Sequence, residues 1–190
     1  MVLAPIKPVS EDEYLSLEDE STIKREFVGH RVYAMAGASE RHNTISGNLF
    51  AACHGASRGA CRPFMGDMRL RLDSGSVYYY PDIMLVCDPT DIAPMFKSSP
   101  CMITEVMSPS TEALDRREKL IAYQNLPMLR ECLLIAQDEV QVEHYQRVSP
   151  REWGMTTLGI ADAIELICIP LILPVSDLYR GVDFARPASA

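Results

Sequence analysis

A chain of 190 residues, 47% hydrophobic and 23% charged, holds enough apolar material to bury one core and too little polar excess to stay disordered. Its net charge of −8 excludes a broadly basic, nucleic-acid-coating surface, although a local basic patch stays open. Much of the imbalance sits between Glu11 and Glu20, a stretch with six acids and no bases.

No opening segment joins a basic start to a continuous apolar run. The most apolar tail segment, Ile164 to Val175, is short and interrupted by Glu165, Pro170 and Pro174. Neither a secretory signal nor a membrane span is expected, which makes the cytoplasm the expected location. The six cysteines, Cys53, Cys61, Cys87, Cys101, Cys132 and Cys168, show no C-x-x-C spacing, and four lie in apolar stretches. That distribution predicts reduced, buried thiols rather than a disulfide framework, and four dispersed histidines supply no zinc set.

Ser10 followed by Glu13 is a capping-box pattern that opens a short helix through Leu15 and Leu17. Arg25 to Val28, a Gly29-His30 turn and Arg31 to Ala36 predict a β-hairpin. Ser39 then caps a helix whose apolar stripe is Ile45, Leu49 and Ala52 or Cys53. Cys61 to Leu72 alternates imperfectly and contains a strand. Tyr78 to Cys87 and Cys101 to Met107 are apolar on both faces, as central strands are. Ser108-Pro109-Ser110 opens a helix across Thr111 to Gln124, with proline suited to a first turn. Glu131 to Ala136 and Val140 to Val148 form a hairpin over Gln137-Asp138-Glu139, and Arg151 to Leu158 adds an edge strand. The order predicts one α/β (α+β) domain over residues 1–190, a mixed sheet flanked by helices, with loose ends at 1–9 and 183–190.

Two acids interrupt the central strands, Asp82 and Glu105. An ionised carboxylate in an apolar strand is costly unless a cation or hydrogen bonds compensate it. Two such carboxylates converging from neighbouring strands make an oxygen site for Mg²⁺, which takes one or two carboxylates and keeps several waters. Lys119 follows in the next helix, on one face with Asp115 and Tyr123. From there it either presents an ammonium to a phosphate or makes an ordinary surface pair with Asp115.

Five pieces occur in a telling order: Lys24 to Gly29, Ala38 to His42, Tyr80 to Pro89, Thr104 to Thr111 and Asp115 to Lys119. Together they resemble the Uma2 family of restriction-endonuclease-like proteins, a branch of the PD-(D/E)XK nuclease superfamily, over nearly the whole chain. The Pro81-Asp82 step and the Glu105-Val106-Met107-Ser108-Pro109-Ser110-Thr111 stretch are the most specific motifs. The resemblance implies a restriction-endonuclease-like core, with Asp82 and Glu105 as metal ligands and the backbone carbonyl of Val106 as a third. It implies a site for Mg²⁺ (or Mn²⁺) and matches Glu26 to an early acid near the metal. His42 matches a recurrent histidine without an evident role, for which a satisfied helix-terminal position is the simpler reading. The superfamily's acid-x-Lys lysine is missing, because that position holds Met107; Lys119 is the matching substitute.

The leading expectation is a Mg²⁺-dependent endonuclease acting on DNA, with Glu26, Asp82, Glu105 and Lys119 as catalytic residues. The alternatives are a catalytically inactive binding or assembly domain and a hydrolase of small nucleotides. Arg58, Arg62, Arg69 and Arg71, clustered in sequence around Asp67, are candidates for holding a phosphate backbone. Cutting both strands of a duplex needs two sites, so a homodimer is also open, with Ile164 to Leu173 as either its interface or part of the core.

Overall fold

The structure, a computed structural model, describes residues 8–35, 37–57, 59, 61–72, 75–108 and 115–185. Helix α1 (Glu11–Asp19) opens on the expected capping box. Ser10 Oγ accepts from the Glu13 N–H at 3.2 Å and Glu13 Oε2 accepts from the Ser10 N–H at 2.9 Å. Strands β1 (Arg25–Val28) and β2 (Arg31–Ala34) form the hairpin, and Gly29 and His30 both take positive φ, as a type I′ turn requires. Ala36, with which the sequence ended that second strand, lies outside the described residues.

Helix α2 (Glu40–Ser57) buries the anticipated stripe of Ile45, Leu49 and Cys53. The Cys61 to Leu72 stretch yields two strands, β3 (Arg62–Met65) and β4 (Arg69–Leu72). The continuous strand expected from Tyr78 to Cys87 is broken. Strand β5 (Val77–Tyr79) ends before Pro81, and β6 (Ile83–Val86) begins after Asp82 in a different sheet. Proline has no N–H to give a ladder, so the chain changes sheets there.

Strands β7 (Phe96–Lys97) and β8 (Met102–Met107) follow. The helix predicted over Thr111 to Gln124 is described only from a π-helical turn, Asp115–Lys119, into α3 (Leu120–Gln124). The chain continues through β9 (Glu131–Ala136), β10 (Val142–Ser149), β11 (Glu152–Leu158), β12 (Ala163–Leu166), β13 (Leu171–Pro174) and α4 (Val175–Leu178).

Two sheets carry the fold instead of one. A five-stranded sheet runs β2-β1-β5-β4-β7, and a six-stranded mixed sheet runs β11-β10-β9-β8-β6-β3. Within the latter, β8 is antiparallel to β6 and parallel to β9. Helix α2 and the β12–β13–α4 tail cover one face, meeting Ile83, Leu85, Met102 and Val106. Helix α3 and the inner side of the first sheet cover the other, meeting Met84, Val86, Ile103 and Met107. Apolar cover on both faces is what the unbroken hydrophobic runs of β6 and β8 require.

The tail belongs to this core. Ile164, Leu166, Ile169 and Leu173 are buried in the chain's own interior, so their inward face is not a surface for a partner. A buried carboxylate fixes it. Glu131 is fully buried, and its oxygens accept from the Ile167 and Cys168 N–H groups and lie 2.9 Å from His144 Nε2. The cysteine expectation fails nearby. Cys61 joins Cys87 and Cys101 joins Cys168, because the ends of β3, β6 and β8 and the β12–β13 turn meet at one pole. Only Cys53 and Cys132 are free, and burial, then the Glu131 charge, pushes both thiols up, Cys53 to about 12.

Two outcomes follow for stability. Replacing Glu131 with Ala strands the amides of Ile167 and Cys168 and should cost about 3–5 kcal/mol in urea unfolding. Unfolding without reductant should expose two thiols to Ellman's reagent, and prior reduction should expose all six while lowering stability by about 2–4 kcal/mol.

Candidate active site

The β6–β8 register pairs Ile83 with Thr104, Met84 with Ile103 and Leu85 with Met102. Asp82 directly precedes β6 and Glu105 directly follows Thr104 in β8, so both acids stand at the same end of this ladder. The turn after β3 is close to it: a methyl group placed on Gly66 would sit 4.0 Å from Asp82 Cα.

Asp82 is oriented from two sides. The Val106 N–H donates to Asp82 Oδ2 at 2.7 Å, and His42 Nε2 lies 3.0 Å from the same oxygen. Among the described residues, Oδ1 has no hydrogen-bond partner. Glu105, only 4% exposed, accepts the Tyr123 hydroxyl hydrogen bond at 2.5 Å.

Lys119 is buried where the π-helical turn meets α3. Its Nζ lies 2.8 Å from Glu26 Oε1 and 3.6 Å from Glu105 Oε1. The approach to Glu26 is close but off the direction of a hydrogen bond, so that buried oxygen has a charge partner and no hydrogen bond. The same ammonium stands 5.5 Å from the centre of the Tyr79 ring, a cation–π contact. Burial, then the charges of Glu118 and Glu26, pushes the Tyr79 hydroxyl up.

The structure therefore gathers Glu26, Glu105 and Lys119 into one cluster and puts Asp82 beside it. Met107 points to the same side, into the apolar cluster with Leu120 and Tyr123, where it supplies packing and no charge. Lys119 pairs with Glu26 and Glu105, and the side chain of Asp115 lies outside what is described. The arginine cluster does not form. Arg62 donates to the carbonyls of Asp88 and Asp91, Arg69 is buried beside Met95 and Asp19, and Arg71 pairs with Glu11; Arg58 lies outside the described residues. Asp67 pairs with Lys24 instead. Sequence reasoning missed two partners, His42 for Asp82 and the Tyr123 hydroxyl for Glu105. Only the shared face of Lys119 and Tyr123 signalled the second.

A mixed central sheet, covered by helices on one face and by a helix and a second sheet on the other, defines a restriction-endonuclease-like fold. The fold matches a crystal structure described as a "putative nuclease belonging to DUF820" from Anabaena variabilis, at a TM-score of 0.73 and 19% identity, over 90% of this chain and 98% of that one. Residues 11–172 match the model of the family described as "Uma2: Putative restriction endonuclease". The chain belongs to the Uma2 family. Similar relatives include two proteins of Synechocystis sp. Uncharacterized protein slr1290 is 34% identical over 95% of this chain and 96% of its own length. Uncharacterized protein sll1609 is 37% identical over 83% of this chain and 92% of its own.

Removing the ammonium tests the electrostatics directly. Lys119→Met leaves Glu26 and Glu105 as buried carboxylates without this cation and should lower stability by about 3–5 kcal/mol in denaturant unfolding at neutral pH. Pairing it with Glu26→Gln should recover part of that loss, because one of the stranded charges is gone.

Proposed function

We propose that the chain is a Mg²⁺-dependent endonuclease that hydrolyses phosphodiester bonds in DNA. The placing of Asp82 and Glu105 at one end of the β6–β8 ladder, with the Val106 N–H reaching Asp82 and Lys119 joining Glu105 to Glu26, is the observation that carries this reading. Two buried carboxylates, Glu26 and Glu105, meet the buried Lys119 ammonium, an excess of one negative charge before Asp82 is counted. Among the described residues, no three His, Cys, Asp or Glu side chains are gathered as a closed ligand set. Mg²⁺ is held by one or two carboxylates and keeps several waters, so a pair of acids is the protein contribution it needs, and Mn²⁺ is a close substitute. Asp82 through Oδ1, Glu105 and the Val106 carbonyl would hold the ion. That carbonyl leaves β8 on the same flank as the Val106 N–H, which already reaches Asp82.

When bound, the ion would polarise the phosphodiester and lower the pKa of a coordinated water. The chain's own residues do the rest. Glu26 and Glu105 hold the Lys119 ammonium at the ends of the central strands, where it offsets negative charge developing on the phosphate. Lys119 thus takes the place of the lysine that Met107 cannot be. Tyr123 and Val106 fix the two acids so that little reorganisation is left for the reaction. Among the described residues, no helix is long and apolar enough to cross a membrane. Cutting both strands needs two sites, so the reading extends to a homodimer that uses a surface other than the buried face of the tail.

Asp82→Ala and Glu105→Ala should each lower Mg²⁺-dependent cleavage of a plasmid by at least about a hundredfold, with the folded state kept. Cleavage at the parent rate by either variant would sink the assignment. Oligonucleotide binding by a parent protein that never cuts would instead favour the binding-domain reading.

A further inference from the structure

We propose that His42 is a positioning residue that aims the free oxygen of Asp82 at the divalent cation, an inference that rests on Asp82 being a metal ligand. The imidazole Nε2 sits 3.0 Å from Asp82 Oδ2, the oxygen that also receives the Val106 amide proton at 2.7 Å. Two donors on one oxygen fix the rotation of the carboxylate and leave Oδ1 without a partner among the described residues.

His42 is itself held. It lies in the first turn of α2, where its N–H donates to Ser39 Oγ at 3.1 Å. Ser39 Oγ donates in turn to Gln137 Oε1 at 2.7 Å, beyond the end of β9. The neighbouring Arg41 reaches the Asp138 carboxylate at 2.8 Å and the Asp183 carbonyl at 3.0 Å. The helix start is thus tied to the β9–β10 turn on two counts, and the ring has little freedom to follow Asp82 if the carboxylate turns. With side chains 18% exposed, the His42–Asp82 pair is shielded enough for its hydrogen bond to compete with water.

The choice of side chain is informative. A lysine or arginine at this place would bring a permanent cation against the ligand and compete with the ion. Imidazole in its neutral form donates one hydrogen bond and adds no charge. Partners of this kind, one step behind a ligand, orient it and typically carry about 10- to 100-fold in metal affinity. A histidine that merely satisfied the helix end would carry none.

The test is calorimetric titration of Mn²⁺ into the full chain, with thermal melting alongside. His42→Ala should weaken Mn²⁺ binding about 10- to 100-fold. His42→Phe, which keeps a ring and loses the donor, should match it and serves if the alanine variant does not fold. His42→Gln places an amide nitrogen at the reach of Nε2 and should recover affinity to within about threefold of the parent. The proposal is overturned if His42→Ala and His42→Phe bind within about threefold of the parent, or if His42→Gln is as weak as they are. A drop in melting temperature with unchanged affinity also overturns it, leaving a purely structural histidine. Asp82→Ala separates the two levels. If it binds Mn²⁺ like the parent, the metal-ligand reading falls and takes this inference with it; if it loses binding while His42→Ala keeps it, only this inference falls.

Discussion

The antiparallel ladder between β6 and β8 sets everything in the site. Pro81 and Asp82 lie between β5 and β6, so the acid stands at the corner where the chain passes from the first sheet to the second. The pairing of Ile83 with Thr104 then brings Glu105 to the same end of the ladder. A slip of one residue would turn Glu105 to the α2 face and replace it with Thr104 or Val106. The two apolar clusters that sandwich these strands forbid that slip, because it would expose half of each cluster to the wrong face. Helices on both faces then complete the site. Helix α2 brings His42 to Asp82, and the π-helical turn with α3 brings Lys119 and Tyr123 to Glu105 and Glu26. A π-helical turn is uncommon and tends to mark functional positions, because its wide turn redirects side chains that an α-helix would place elsewhere.

Buried acids by themselves do not identify such a site. Glu131 is more deeply buried than Glu105, yet its carboxylate is closed off by the Ile167 and Cys168 amides and by His144. Each of its oxygens has backbone or ring donors, so it anchors the tail and has nothing to offer a ligand. The acids around Lys119 are different. Glu26 has a buried oxygen with no hydrogen bond, and Asp82 has one oxygen fixed and one open. What distinguishes a candidate metal ligand from a structural carboxylate here is the unmet demand, not the burial.

Much of this was legible in the sequence, and the failures have identifiable causes. The capping box, the Gly29-His30 turn, the α2 stripe and the runs around Ile83 and Ile103 rest on local chemistry, and each formed where it was expected. Asp82, Glu105, Lys119 and Glu26 came from motif order plus the cost of charge in apolar strands, and of these Glu26, Glu105 and Lys119 are in contact. The split of Tyr78 to Cys87 was signalled by Pro81 and overridden by the apolar run on either side. The arginines around Asp67 were close only along the chain, since β3 and β4 belong to different sheets and send Arg62 and Arg69 to separate partners. The disulfides could not be read from spacing. Cys61, Cys87, Cys101 and Cys168 are separated by up to 107 residues and meet only because three strand ends and one turn share a pole. The contact of His42 with Asp82 needed the third dimension for the same reason.

The acidic net charge also takes a specific form at the mouth of the site. Lys24 is anchored on the Gly66 carbonyl next to Asp82 and paired with Asp67. Arg41, beside His42, is paired with Asp138, and Arg116, beside the cavity of about 330 Å³ that Met107 and Ser108 line, is paired with Glu143. A phosphate arriving at any of these cations displaces a carboxylate as well as a counterion. The gain per contact is therefore smaller than on a surface of unpaired lysines and arginines, and binding depends less on salt than the number of cations suggests. With these peripheral cations paired, Glu26, Glu105 and Asp82 carry more negative charge than Lys119 offsets. A divalent cation there would reverse the repulsion that the bare site presents to a phosphodiester. On the proposed reading, metal binding and substrate binding would be one electrostatic problem, shared by Asp82 and Glu105.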